Sequence, residues 1–293
     1  MIFYRTGSYV MELDEGLRVI SMNAMHFSSK NRESNDPTAP SEILKWLEAE
    51  LMKTQTKGMK AVLMYHIPHG TYLTPSGPEQ FWLDKYEQPM RVLLKRYNST
   101  ISVILTGHTH LSFLDASDAK LAENFVETTI KLSKELGQEN AASSFYANAV
   151  VNRAASPVYQ NNPGFSFLYY NQAFNVPDYY EEYTFLVVNS YNKTDDASNY
   201  WIYLYNSKID LQIEELSAKG IADFLVSLIK DLSKLLKYLL YKLGDPIKLE
   251  PERRSDFKFV KEIIKQMCAK YTEDPGSNAM CIDSLHEQIK PDK

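Results

Sequence analysis

Apolar residues along the chain follow two rhythms. Short unbroken runs, "LRVISMNA" over residues 17–24, "KAVLMY" and "ISVILT", are rich in β-branched and large aliphatic side chains and end in loops. That is the pattern of buried strands. Between them Ile43, Leu44, Leu47 and Leu51 recur at three and four. Ser41 is the expected N-cap of this helix, behind a proline-bearing loop, and Gly58 its C-terminal stop. "DKYEQPMRVLLKRY" is a second helix ahead of "ISVILTG". Strand–helix–strand–helix–strand predicts an α/β fold. The polar segment 116–145 has a helical pattern and reads as an insertion. "FSFLYYNQ" and "EYTFLVVNS…NYWIYLYNS" are aromatic and β-branched with turn residues between, and predict further strands.

From about residue 213 the pattern turns helical, which divides the chain into 1–212 and a helical C-terminal region, 213–293. Phe224, Leu225, Leu228, Leu232, Leu235, Leu236 and Leu239 form one apolar stripe. Asp223, Lys230, Asp231, Lys234, Lys237 and Lys242 interrupt it, so it lacks the unbroken apolar length that crosses a bilayer. The stripe fits a helix packed on a core, with contact to a membrane surface as the alternative.

Composition narrows the classes. With 293 residues and 44% hydrophobic content the chain can build a core for one or two domains. A net charge of −5, with both signs interspersed, lacks the basic stripe that nucleic-acid polymers require. The opening "MIFYRTGSYV" has no apolar run of signal-peptide length. Cys268 and Cys281 flank a Pro/Gly-containing loop and fit either a disulfide or two thiols.

Three of the six histidines share one kind of position. His66 follows "KAVLMY", and His108 and His110 follow "ISVILTG". Loops at the ends of buried strands are where α/β sheets place ligands, and two different strands can bring their histidines to one point. Neutral imidazole binds borderline metals such as Zn²⁺. A metal site, an acid/base pair and two turn residues all remain open on these letters alone.

Longer segments carry a resemblance. "GHTH" after one apolar strand and "HIPHG" after another resemble the calcineurin-like metallophosphoesterases, and most closely their acid sphingomyelinase-type branch. "GLRVISMN", "ILKWLEAELMKTQTKGMKAVLMYHIPHG", "LLKRYNSTISVILTGHTH", "ASPVYQNNPGF" and "DYYEEYTF" match that branch in order, over roughly residues 8–190. The resemblance implies a layered β-sandwich flanked by helices. It implies a phosphoester substrate, a small molecule or a lipid, and His66, His108 and His110 as metal ligands. Two divalent ions, expected to be Zn²⁺, would sit about 3.5–4 Å apart and activate a hydroxide for in-line attack on phosphorus. His69, where relatives often carry proline, becomes a candidate contact for substrate phosphate. The complete relatives belong to secreted, lysosomal or periplasmic settings.

The departures are equally informative. The family's D-x-H and G-N-H motifs have no counterpart, and the single Gly-Asp, Gly244-Asp245, lies far beyond GHTH. No bridging aspartate and no catalytic acid can therefore be assigned. Where relatives often carry acidic residues after GHTH, this chain has Leu111-Ser112-Phe113, with Asp115 as a distant substitute. The expectation is the C-terminal portion of a metallophosphoesterase domain, inactive by itself; the alternative is a catalytically inactive remnant or truncated binding module.

Overall fold

The computed structural model describes residues 2–13, 16–31, 37–74, 77–110, 112–118, 145–157, 162–173, 175–187, 200–231, 233–234, 237–238, 241 and 244. A short helix α1 (Ile2–Thr6) leads into β1 (Tyr9–Leu13) and its antiparallel partner β2 (Leu17–Ser21). Helix α2 (Ala39–Thr56) carries the chain to β3 (Lys60–Met64). A hairpin of β4 (Thr71–Thr74) and β5 (Gly77–Gln80) precedes α3 (Asp84–Arg96) and β6 (Ile101–Thr106). Then come β7 (Phe113–Asp118) and β8 (Phe145–Val151). Next are β9 (Gly164–Asn171), β10 (Val176–Phe185) and β11 (Trp201–Asn206), and finally α4 (Ala218–Lys230).

The main sheet has the order β1-β2-β3-β6-β8-β7. Strands β2, β3, β6 and β8 are parallel, and antiparallel β1 and β7 close the edges. Two crossovers stepping the same way put α2 and α3 on one face, where they pack against each other. Ile43, Leu44, Leu47 and Leu51 are all buried there, as their spacing requires. A second, antiparallel sheet, β11-β10-β9, packs over β6 through β10. Ser102 on β6 meets the Tyr170 hydroxyl on β9 at 3.3 Å across this layer. The result is the mixed α/β, layered arrangement that the sequence predicts.

Helix α4 packs on β7 and β8, with Ser217 as its N-cap accepting from Gly220 N at 3.0 Å. Ile221, Phe224 and Leu228 are buried in the same core as the sheet. Leu232, Leu235 and Leu239 of the expected stripe lie outside the described residues, as do Cys268 and Cys281. Among the described residues no helix is long and apolar enough to cross a membrane.

Two expectations are corrected. Helix α2 begins at Ala39 with Thr38, not Ser41, at its N-cap, because Pro40 fits the first turn, where its missing N–H loses no bond. The helix expected over 116–145 is strand at both ends. Residues 113–118 and 145–151 pair antiparallel, from Phe113↔Val151 to Asp118↔Phe145, so edge pairing overrides the local pattern; 119–144 lie outside the described residues.

Candidate functional site

Neighbouring parallel strands β3 and β6 end side by side, so the loops that follow them face each other. The amide of Gly107 donates to the His66 carbonyl at 3.0 Å and clips the two loops together. His66 Nε2 and His108 Nδ1 then lie 3.3 Å apart, with their rings edge to face at a centroid separation of 5.2 Å. Phe81 packs edge-on against the His108 ring, 4.8 Å between centroids. Partial desolvation, and then the charge of His110, hold the His66 pKa below the ordinary imidazole value, which places His110 in electrostatic reach of His66.

The GHTH loop is strained. His108 and His110 have φ of 70° and 63°, in the left-handed region that favours glycine. Such conformations carry about 1–3 kcal/mol each and persist only where the surroundings hold them. Here Thr109 N donates to the Gly107 carbonyl at 2.8 Å, and Asn152 N to the Thr106 carbonyl at 2.8 Å.

The loop after β3 is braced from α3 and the core. Trp82 Nε1 donates to the Ile67 carbonyl at 3.0 Å, and buried Glu87 accepts from Gly70 N at 3.0 Å. His69 is buried, its Nδ1 2.7 Å from the Tyr65 hydroxyl and its ring edge-on to Trp82. It is thus seated in the wall of the loop. Among the described residues, no three or more His, Cys, Asp or Glu side chains are arranged to hold an ion. The site as built is a histidine pair with a third histidine alongside.

Behind the GHTH loop lies a group that sequence reasoning missed. Arg153, after β8, and Glu182, on β10, are fully buried and paired, Nη2 and Nε lying 2.6 and 2.7 Å from Oε1. Oε2 accepts from Ser112 Oγ and, at 2.8 Å, from the Tyr205 hydroxyl, which in turn accepts from Tyr180 at 2.7 Å. Burial first, and then the Glu182 charge, push both tyrosine pKa values well above 10.0, so both hydroxyls stay donors. A signal existed in "DYYEEYTF": alternation places Glu182 on the inward phase with Tyr180 and Thr184.

The chain is 26% identical over 249 residues to a Dictyostelium discoideum protein named sphingomyelinase phosphodiesterase C, covering 81% of this chain and 51% of the relative. To sphingomyelinase phosphodiesterase D of the same organism it is 26% identical over 178 residues, 60% of this chain and 36% of the relative. To sphingomyelin phosphodiesterase 1 of Caenorhabditis elegans it is 24% identical over 217 residues, 73% and 33% respectively. These matches support a calcineurin-like metallophosphoesterase of the acid sphingomyelinase-like branch, at low identity. The chain spans between a third and about half of the length of these relatives. A solved dimetal phosphatase from Danio rerio superposes with a TM-score of 0.39 at 12% identity, over 62% of this chain and 58% of that one. No family model matches. The two segments carrying the metallophosphoesterase resemblance most strongly, "HIPHG" and "GHTH", are those that directly follow the adjacent strands β3 and β6.

Proposed function

We propose that His66, His108 and His110 are the imidazole side of a divalent-metal centre for phosphoester hydrolysis, with Zn²⁺ as the ion and a phosphodiester, small or lipid-borne, as substrate. The observation that carries this reading is the 3.3 Å between His66 Nε2 and His108 Nδ1 at the ends of neighbouring parallel strands. Two nitrogens each about 2.0–2.1 Å from one tetrahedral ion stand about 3.3 Å apart, so the pair already has ligand spacing. The lowered His66 pKa supports it too, because a ligand must be neutral. When bound, a divalent ion polarises phosphoryl oxygens and lowers the pKa of water.

The chain's own residues then do the following. The Gly107–His66 clip and the strained GHTH backbone hold the imidazoles at fixed separation, and Phe81 shields one edge of His108. His69 is the candidate contact for substrate phosphate beside the pair, its ring oriented by Tyr65 at Nδ1. Among the described residues no aspartate bridge and no leaving-group acid can be named. An acid alone contributes about 10²–10⁴-fold, so the 293-residue chain should turn over phosphodiesters negligibly.

Zn²⁺ titration of the 293-residue chain beside His108→Ala tests the site. Binding that the substitution weakens at least about tenfold supports it; equal affinity refutes it. Activity is read on bis-p-nitrophenyl phosphate and sphingomyelin. Robust turnover abolished by His108→Ala would keep the centre and overturn the expectation of weak catalysis.

A further inference from the structure

The GHTH tetrapeptide holds two histidines in left-handed backbone conformations, and something must keep it there. On its N-terminal side the Gly107–His66 clip does so. On its C-terminal side the first described side chain after His110 is Ser112, 2% exposed, and its hydroxyl donates to Glu182 Oε2. Glu182 comes from β10 in the other sheet and is immobilised by Arg153 through two short contacts to Oε1 and by Tyr205 on Oε2. Arg153 is anchored in turn, donating to the Tyr241 carbonyl at 2.6 Å. The histidine loop is thus moored to a buried carboxylate contributed by a strand that carries none of the histidines.

We propose that Glu182 is a positioning residue for the metal-binding histidines, acting through Ser112 to fix the exit of the GHTH loop. This rests on the reading of His66, His108 and His110 as ligands. The geometry separates positioning from mere stability, because Oε2 accepts from two hydroxyls of similar kind. Ser112 connects to the loop; Tyr205 connects to Tyr180 and the second sheet. Loss of either hydroxyl removes one of the two donors to the same oxygen, yet only one of them cuts the mooring.

The test compares Ser112→Ala, Tyr205→Phe and His108→Ala in the full chain. It reads Zn²⁺ affinity by calorimetry, the visible bands of the Co²⁺-loaded protein, and thermal stability. Partners that orient ligands change metal affinity by about 10–100-fold when removed. Ser112→Ala should therefore lose about tenfold or more in Zn²⁺ affinity and alter the Co²⁺ bands. Tyr205→Phe should lower the melting temperature with Zn²⁺ affinity and Co²⁺ bands unchanged. Equal affinity losses in the two variants, or none in Ser112→Ala while His108→Ala abolishes binding, overturn the positioning role and leave the site intact. Undiminished binding in His108→Ala overturns the site reading itself. Glu182→Gln is avoided as the primary variant because it also unpairs Arg153.

Discussion

Replacing Arg153 by Met isolates the energetic weight of the buried pair. Both side chains are fully buried, so Glu182 would lose its counter-charge where water cannot replace it. Oε1 would lose both donors, at 2.6 and 2.7 Å, while Oε2 keeps Ser112 and Tyr205. Breaking a buried ion pair on one side destabilises by about 3–5 kcal/mol. Loss of the bond to the Tyr241 carbonyl leaves that acceptor short as well. For a chain of this size each kcal/mol moves the melting temperature by roughly 2–4 °C, so the drop should be on the order of 10 °C. The double variant Arg153→Met/Glu182→Leu removes both charges together. Because an apolar replacement of a buried pair is often close to neutral, it should recover much of the loss. Urea unfolding followed by far-UV circular dichroism measures the whole cycle, with the coupling expected to exceed about 1 kcal/mol. A single variant within about 1 kcal/mol of wild type, or strictly additive losses, would refute the argument that the pair is dry and mutually dependent.

Other outcomes follow from burial and ionisation. Leu228→Asp puts a charge into the core under α4 and should lower thermal stability strongly, whereas Ile209→Asp, at a residue 75% exposed, should change little; equal effects would place α4 away from the core. Tyr180 and Tyr205 have pKa values raised in the fold, so above about pH 10 the unfolded chain releases protons the native chain keeps. Stability should therefore fall as pH rises from there, and the double Phe variant should flatten that slope in pH-dependent unfolding curves. His66 has a lowered value, so as pH falls below 6.5 the unfolded state takes up the proton first. The metal-free chain should lose stability through that window, and His66→Gln should lose less.

How much of this was legible beforehand depends on the range of the forces involved. The helix face Ile43, Leu44, Leu47 and Leu51 and the strands ending at His66 and His108 were readable, because burial imposes a local period on sequence. So was the pairing of those two loops, since consecutive parallel strands joined by one helix lie side by side. The Arg153–Glu182 pair was not: its partners sit 29 residues apart, one in the loop after β8 and the other on β10, and no period links them. The N-cap of α2 was misplaced because Ser41 has cap chemistry while Pro40 has the backbone that belongs inside the first turn. The strand at 113–118 was hidden because its pairing with β8 spans a long polar segment whose composition dominated the local reading.

The left-handed histidines carry one more consequence. At φ of 70° and 63°, glycine would be the more comfortable occupant of both positions. His108→Gly should then fold at least as stably as wild type, while His108→Ala, which keeps a Cβ in the same crowded region, should not. Without its ligands the loop is a loaded spring whose most relaxed sequence is also its most useless one. Any selection of this chain for thermal robustness alone would drift toward glycine at 108 and 110, losing the imidazoles as it gained stability.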